Sequence, residues 1–330
     1  MPFPRGGILA ALWLPTDANG ALRREDLGAN LEFLRSRGIH GVLALGSTGE
    51  FPQFDLEQRK HALATVAEMA APLPVIANVS DIRPPAVAEL GALARDLGLP
   101  AIAVMPPGFY PSSQPDLLAH FLHAAEASGL PTILYNFPEL TGTRIDLETI
   151  AAFAGRAPLA GVKQSGREFE YHRELVRLGR EKGFVVFSGA DTRLPEVFAL
   201  GAAGCIGGLV NFVPELMLRL YRVCRSGEVG SIHPDFEQLR EIGRIIDRLT
   251  FPLNVAAGME ARGLATGAPK AVVSEHSREV YRGIVAELRQ KFLEWGIAKA
   301  SATASPLANS GPPPPAAPAP DRSDHGTAKA

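Results

Sequence analysis

Short runs of Val, Ile, Leu and Ala recur along the first two thirds of the chain, each followed by a stretch whose apolar residues return every three or four positions among charged ones. The first pattern is that of a strand and the second that of an amphipathic helix. The runs predict strands at Ile8–Pro15, Gly41–Leu45, Pro74–Val79, Ala101–Met105, Thr132–Asn136, Ala160–Gln164, Phe184–Ser188 and Cys205–Leu209. Helical spacing fills the intervals at Arg24–Arg37, Asp55–Ala70, Pro84–Leu97, Gln114–Ser128, Leu147–Gly155, Glu168–Lys182, Leu194–Leu200 and Pro214–Ser226. Asp or Ser stands near several N-caps, and Gly38, Gly98, Gly129 and Gly183 fall where C-caps belong. Strands that are apolar throughout are covered on both faces, which is the habit of parallel sheet packed under helices. Eight such units predict an α/β fold, a (β/α)8 TIM barrel, over residues 1–230.

Residues 231–300 carry no strand signal and read as a C-terminal helical extension of two or three helices, including the amphipathic Ser277–Trp295. From Ser301 the composition turns to Ala, Pro and Ser, with GPPPPAAPAP at Gly311–Pro320. Such a segment has too little apolar surface to offset its ordering entropy, so 301–330 is expected to be a disordered tail.

Composition narrows the partner. With 46% hydrophobic and 21% charged residues and a net charge of -2, the chain gives no electrostatic reason to expect nucleic acid or an anionic membrane. A small-molecule partner is expected instead. Cys205 and Cys224 are the only cysteines and form no CxxC pair, which suits a reducing cytoplasm. The apolar Ile8–Leu14 run precedes the polar turn Thr16–Gly20 without a small-residue cleavage site, so it reads as a first strand rather than a signal segment. No apolar run approaches the roughly 20 residues that span a bilayer, and the expectation is a soluble protein.

Barrel enzymes keep their chemistry at the C-terminal ends of the strands and in the loops that follow. At those places stand LGSTGE (Leu45–Glu50), LYNFP (Leu134–Pro138), GVKQSG (Gly161–Gly166), SGAD (Ser188–Asp191) and GCIGGLVN (Gly204–Asn211). Lys163, on the sixth strand, would point into a poorly solvated interior that disfavours its ammonium form and leaves free amine. A free amine attacks a carbonyl to form a Schiff base, whose protonated nitrogen draws electrons from the bond one carbon away. Taken alone, Lys163 reads more readily as a surface cation at a strand end. GSTGE changes the balance, because successive backbone N–H groups in such a turn converge on one anion, as a keto-acid carboxylate would require. Tyr135 lies one βα unit before Lys163 and supplies a phenol to move protons at the same mouth. Nest, phenol and amine together fit a 2-keto acid.

These motifs, in this order, resemble the dihydrodipicolinate synthase / N-acetylneuraminate lyase family of class I Schiff-base aldolases and lyases. The likeness runs from Gly7 to Gly296 and includes LEQR at Leu56–Arg59. It implies Lys163 as the Schiff-base lysine, Tyr135 as the phenolic acid/base, and Ser47 and Thr48 as carboxylate binders, with Thr48 also passing protons to Tyr135. It further implies Ile206 along the pocket, Gly189 and Asp191 beside a substrate tail, no cofactor or metal, and a homotetramer. Synthases of the family carry an arginine where this chain has Leu140, and a leucine cannot form a bidentate ion pair with the second substrate's carboxylate. The sialic-acid lyases carry an acidic residue and a serine where Thr192 and Gly208 stand. The tyrosine lent between subunits in the synthases falls on Phe109, with Tyr110 one place on as the possible substitute.

The expectation is therefore reversible aldol cleavage of a 2-keto-3-deoxy sugar acid or a 4-hydroxy-2-oxo acid. A dehydratase or deaminase working through the same intermediate, a dihydrodipicolinate synthase, and a non-catalytic sugar-acid-binding barrel are the alternatives. His120 and His123 share an i,i+3 spacing that reads as the outer face of the fourth helix, His172 reads as solvated, and Glu50 reads as a brace for its own loop.

Overall fold

The computed structural model describes residues 2–166, 168–226, 234–297 and 299. Eight parallel strands close into a barrel in chain order: β1 (Gly7–Ala11), β2 (Gly41–Ala44), β3 (Val75–Asn78), β4 (Ala101–Val104), β5 (Thr132–Asn136), β6 (Leu159–Gln164), β7 (Val185–Ser188) and β8 (Gly204–Gly207). Around it run α1 (Arg24–Arg37), α2 (Leu56–Ala70), α3 (Pro84–Asp96), α4 (Gln114–Ser128), the single turn α5 (Pro138–Thr141), α6 (Leu147–Ala154), α7 (Phe169–Lys182), α8 (Leu194–Leu200) and α9 (Pro214–Ser226). This is the (β/α)8 architecture that the repeat predicts. The expected tail, 301–330, lies outside the described residues. No helix among the described residues is long and apolar enough to cross a membrane.

Alternation along each strand divides the core in two. Leu9, Ala11, Leu43, Ile76, Ala103, Ile133, Tyr135, Phe187 and Ile206 fill the barrel interior. Their neighbours, such as Ile8, Val42, Val75, Ile102, Leu134, Val162 and Val186, face the helices. Each fully buried aliphatic side chain contributes about 1.5–3 kcal/mol. Phe3, ahead of β1, packs edge-on to Phe187 at 6.2 Å and stops the end of the barrel away from the strand C-termini. Gly161 and Gly204 are required by the closure, since a Cβ there would stand 2.8 Å from the Val185 carbonyl oxygen and 2.1 Å from that of Gly7.

Capping follows the sequence signals. Asp55 forms a capping box with Gln58 at the start of α2, Ser113 caps α4, and Gly38, Gly129 and Gly183 end their helices in the left-handed conformation. The first strand is shorter than its apolar run. Leu12, Trp13 and Leu14 stay buried, but the ladder stops at Ala11, and the backbone N–H of Trp13 donates instead to Asn211 Oδ1 at 3.0 Å.

After α9 come α10 (Pro234–Ile246), α11 (Leu253–Arg262) and α12 (Glu275–Glu294). The connection from α11 to α12 lies on the barrel mouth: Ala268 N donates to Thr16 O at 2.7 Å, Trp13 Nε1 to Thr266 O at 2.8 Å and Asn30 Nδ2 to Ala265 O at 2.8 Å. The extension is thereby tied to the end of β1.

Two histidines are not where their charged surroundings suggest. His120 turns inward, its Nε2 3.2 Å from the Met105 carbonyl, rather than standing on the outer face. His172 is 4% exposed, on the stripe of α7 that also buries Tyr171, Leu175 and Val176, so it is a core residue and not a solvated one. Burial lowers its pKa from the ordinary 6.5 to about 4. Between those values the unfolded chain binds more protons than the folded one, so stability rises with pH across that window and is lost as pH falls through it. His172→Leu should flatten the slope of urea-unfolding free energy between pH 4 and 6.5, leaving the smaller share of His40 and His120, whose burial also lowers their pKa values.

Candidate active site

Parallel pairing sets Tyr135 on β5 directly opposite Lys163 on β6, and Lys163 opposite Phe187 on β7. All three side chains therefore point into the barrel interior, and Lys163 and Tyr135 line the cavity at its mouth. Lys163 is 3% exposed and Tyr135 2% exposed. The Lys163 Nζ lies 4.0 Å from the centroid of the Tyr135 ring, within range of a cation–π attraction. The Tyr135 hydroxyl is 3.2 Å from Ser47 Oγ. Amine, phenol and hydroxyl thus stand in one chain across β6, β5 and the loop after β2.

That loop is tightly held. Leu45 and Glu50, at either end of Gly46-Ser47-Thr48-Gly49, both have φ of 57°, a conformation that side-chain-bearing residues adopt at a cost of about 1–3 kcal/mol each. At the first end Asn78 Nδ2 donates to the Leu45 carbonyl at 2.6 Å. Asn78 is itself fixed by the Ser80 hydroxyl at 2.6 Å, and Ser80 Oγ accepts from Met105 N at 2.8 Å. At the second end Lys270 Nζ donates to Glu50 Oε2 at 2.7 Å. Glu50 therefore braces the loop. Gly49 leaves room for the Leu12 carbonyl, which a Cβ would meet at 2.8 Å.

A cavity of about 520 Å³ opens over Lys163 and Tyr135, a size suited to a small organic acid. Thr48, Gly189, Asp191, Ile206 and Gly208 line it, as does the extension through Asn254 and Val255. A larger hollow of about 580 Å³ lies beyond the loop, beside Ser47, Glu50 and Leu140, and contains neither Lys163 nor Tyr135. Chemistry, and not size, points to the smaller one. Phe137 stacks on Tyr135 at 6.3 Å and meets Phe251 at 6.5 Å, carrying an aromatic contact from β5 to the extension.

Of the residues proposed from sequence, Lys163, Tyr135, Thr48, Gly189, Asp191 and Ile206 come together in this cavity, and Ser47 reaches it through the Tyr135 hydroxyl. Ser47, and not Thr48, is the hydroxyl paired with the phenol. Asp191 has its carboxylate engaged: Oδ2 accepts from Gly208 N at 2.8 Å and Leu209 N at 3.0 Å, and Oδ1 from Cys205 Sγ at 3.3 Å. Burial raises its pKa, against which these donors and the nearby Lys163 charge act in the opposite sense. Tyr110 is not brought to the cavity. It is 70% exposed and lies edge-on to Phe109, itself 88% exposed with φ of 78°.

Residues 4–291 match the model of the Dihydrodipicolinate synthetase family. The chain belongs to that family. A 4-hydroxy-tetrahydrodipicolinate synthase of Methanopyrus kandleri is 30% identical over 293 residues, covering 88% of this chain and 97% of the relative. Among solved structures, YagE of E. coli K12, a prophage protein of the dihydrodipicolinic acid synthase family in complex with pyruvate, superposes with a TM-score of 0.80 at 24% identity over 89% of this chain and 99% of its own. CdNal of Clostridium difficile, in complex with mannosamine, superposes with a TM-score of 0.82 at 18% identity over 88% of this chain and all (100%) of its own. At those identities the two structures speak for the fold. Members of the dihydrodipicolinate synthetase family are class I Schiff-base lyases, and this chain is an enzyme of that class.

Within this family frame, sequence reading missed the cavity residues supplied by the extension, Gly243, Ile246, Asp247, Phe251, Asn254 and Val255. Their only sequence signal is the apolar pattern of α10, α11 and the connection between them, which does not say what they face. The Leu45 clamp makes a direct prediction. Asn78→Ala leaves a buried carbonyl and a buried hydroxyl short of partners, at about 1–3 kcal/mol each. The midpoint of urea unfolding should fall accordingly, and pyruvate affinity should weaken with it as the loop loses its fixed shape.

Proposed function

We propose that Lys163 is the Schiff-base nucleophile, that Tyr135 is its proton carrier, and that the enzyme makes or breaks an aldol bond of a 2-keto acid. The observation that carries this reading is the buried amine 4.0 Å from the Tyr135 ring, whose hydroxyl in turn reaches Ser47. The free amine of Lys163 adds to carbon 2 of the keto acid, and water leaves to give an iminium. The iminium takes up the electron pair of the carbon 3–carbon 4 bond, giving an enamine. Tyr135 gives the carbinolamine hydroxyl the proton with which it leaves as water, its phenolate then takes the proton from the carbon 4 hydroxyl as the bond breaks, and Ser47 orients the phenol. Convergent N–H groups of the Ser47–Thr48 turn hold the carboxylate of the keto acid.

For the second half of the substrate, a 2-keto-3-deoxy sugar acid or a 4-hydroxy-2-oxo acid fits best. Ser165, Thr192 and Asn254 line that part of the cavity and offer hydroxyls and an amide to a hydroxylated chain. Leu140 is 51% exposed and lines the larger hollow, so it supplies no charge to grip a carboxylate over Lys163. At Gly208 a side chain would meet Val255 at 3.2 Å and Thr48 at 3.5 Å, leaving little space for the serine of sialic-acid lyases. A synthase acting on aspartate semialdehyde is the second reading, favoured by the name of the Methanopyrus kandleri relative. A homotetramer acting in the cytoplasm accords with the family resemblance and belongs to the same proposal.

Incubation with pyruvate and borohydride should leave a reduced adduct on Lys163, located by mass spectrometry. Lys163→Ala should remove it together with all activity, whereas Tyr135→Phe should retain pyruvate binding and lose about 10²–10⁴-fold in rate. In a panel of 2-keto-3-deoxy acids, 4-hydroxy-2-oxoglutarate, and aspartate semialdehyde with pyruvate, the semialdehyde should be the poorest substrate. Efficient turnover of it would decide for the synthase.

A further inference from the structure

The loop that carries Ser47 and Thr48 is pinned at both ends by side chains from outside it. Asn78, on the neighbouring strand, holds Leu45. The other pin, Lys270, comes from the connection between α11 and α12, 220 positions away in sequence from Glu50. Its side chain is 3% exposed and that of Glu50 is 14% exposed. The ammonium lies 4.5 Å from the Trp13 ring centroid and 5.8 Å from that of Phe54. Burial lowers the Lys270 pKa, and the Glu50 charge and hydrogen bond act against that fall. Glu50 is the residue that must hold φ at 57°, and its backbone closes the loop by donating to the Ser47 carbonyl at 3.0 Å and accepting from Gln53 N at 2.9 Å.

A long cation threaded between two aromatic rings to one carboxylate is more than a surface ion pair. Exposed pairs of this kind contribute little, but a buried pair is directional and its loss leaves a charge stranded. Trp13, which flanks the ammonium, is itself tied to the same connection through Thr266. The connection therefore grips the mouth at β1 and at the loop after β2 together.

We infer that Lys270 is a positioning residue: through Glu50 it holds the Ser47–Thr48 turn in the shape that receives the keto-acid carboxylate, so that the helical extension sets the affinity for the first substrate. This rests on the Schiff-base reading given above. Lys270 touches no reacting atom, so its loss should weaken capture of the keto acid and spare the step that follows.

The test is pyruvate-dependent borohydride trapping in the full-length protein, separating the half-saturating pyruvate concentration from the limiting rate of adduct formation. Lys270→Met and Glu50→Gln should each raise half-saturation on the order of tenfold, with the limiting rate within about twofold of wild type. The double variant should be no worse than either single one, and Lys270→Arg should restore most of the affinity. If Lys270→Met does not fold by circular dichroism, the double variant and Lys270→Arg carry the comparison. Unchanged half-saturation in folded variants, additive losses, or a loss confined to the limiting rate would overturn the inference alone. Failure of the wild-type protein to trap pyruvate would sink the lyase reading and this inference with it.

Discussion

The site depends first on the register of β6 between its two neighbours. Gln164 and Val162 flank Lys163, and Val162 faces the helices. A slip of one residue would turn the amine outward and bring Val162 into the interior. What prevents the slip is the fit on both sides of the strand: Val162 buried among helices, and Gly161 giving way to the Val185 carbonyl. With that register in place, Tyr135 and Phe187 are set beside Lys163 by the ladder itself. The amine and the phenol need no loop to bring them together. Their separation is thus as rigid as the barrel wall, the condition under which a reacting pair loses least to reorientation.

The Ser47–Thr48 side, where we propose that the keto-acid carboxylate is held, is built on the opposite principle. Two left-handed non-glycine residues, Leu45 and Glu50, turn the chain sharply after β2, and that shape has no ladder to support it. Strain of this kind persists only where neighbours over-determine it. The neighbours are a strand amide, Asn78, and a lysine from the extension, Lys270. The helices after α9 are therefore part of the mouth, through both this pin and the cavity wall at Asn254 and Val255.

What the sequence made legible follows the same division. Strands buried on both faces announce themselves as apolar runs, so the eight units and the positions of Lys163 and Tyr135 could be read directly. The run at β1 misled by its length, because Leu12 to Leu14 are as buried as a strand although the Trp13 N–H goes to Asn211 and not to a neighbouring strand. His172 was hidden by the charges around it, although Leu175 and Val176 mark its stripe at i+3 and i+4. Phe251, Asn254 and Lys270 were not legible, since nothing local records a contact made across most of the chain. Tyr110 was placed by resemblance alone, and in this chain it stands exposed beside Phe109.

Asp191 explains why the first half of the reaction is easier to read than the second. Its oxygens are taken by Gly208, Leu209 and Cys205, and the fit is so close that a Cβ on Gly207 would stand 1.6 Å from Oδ1. A carboxylate committed in this way shapes the wall of the cavity and has few lone pairs left for a substrate tail. Under the proposed reaction, selection of the distal half falls to side chains such as Ser165, Thr192, Arg193 and Asn254, which line the cavity after the strands or on the extension. Those positions can change without disturbing the ladder that holds Lys163 and Tyr135. A barrel arranged like this keeps one way of starting the reaction while its rim accommodates different second halves, so motifs on the strands speak for the chemistry and not for the substrate.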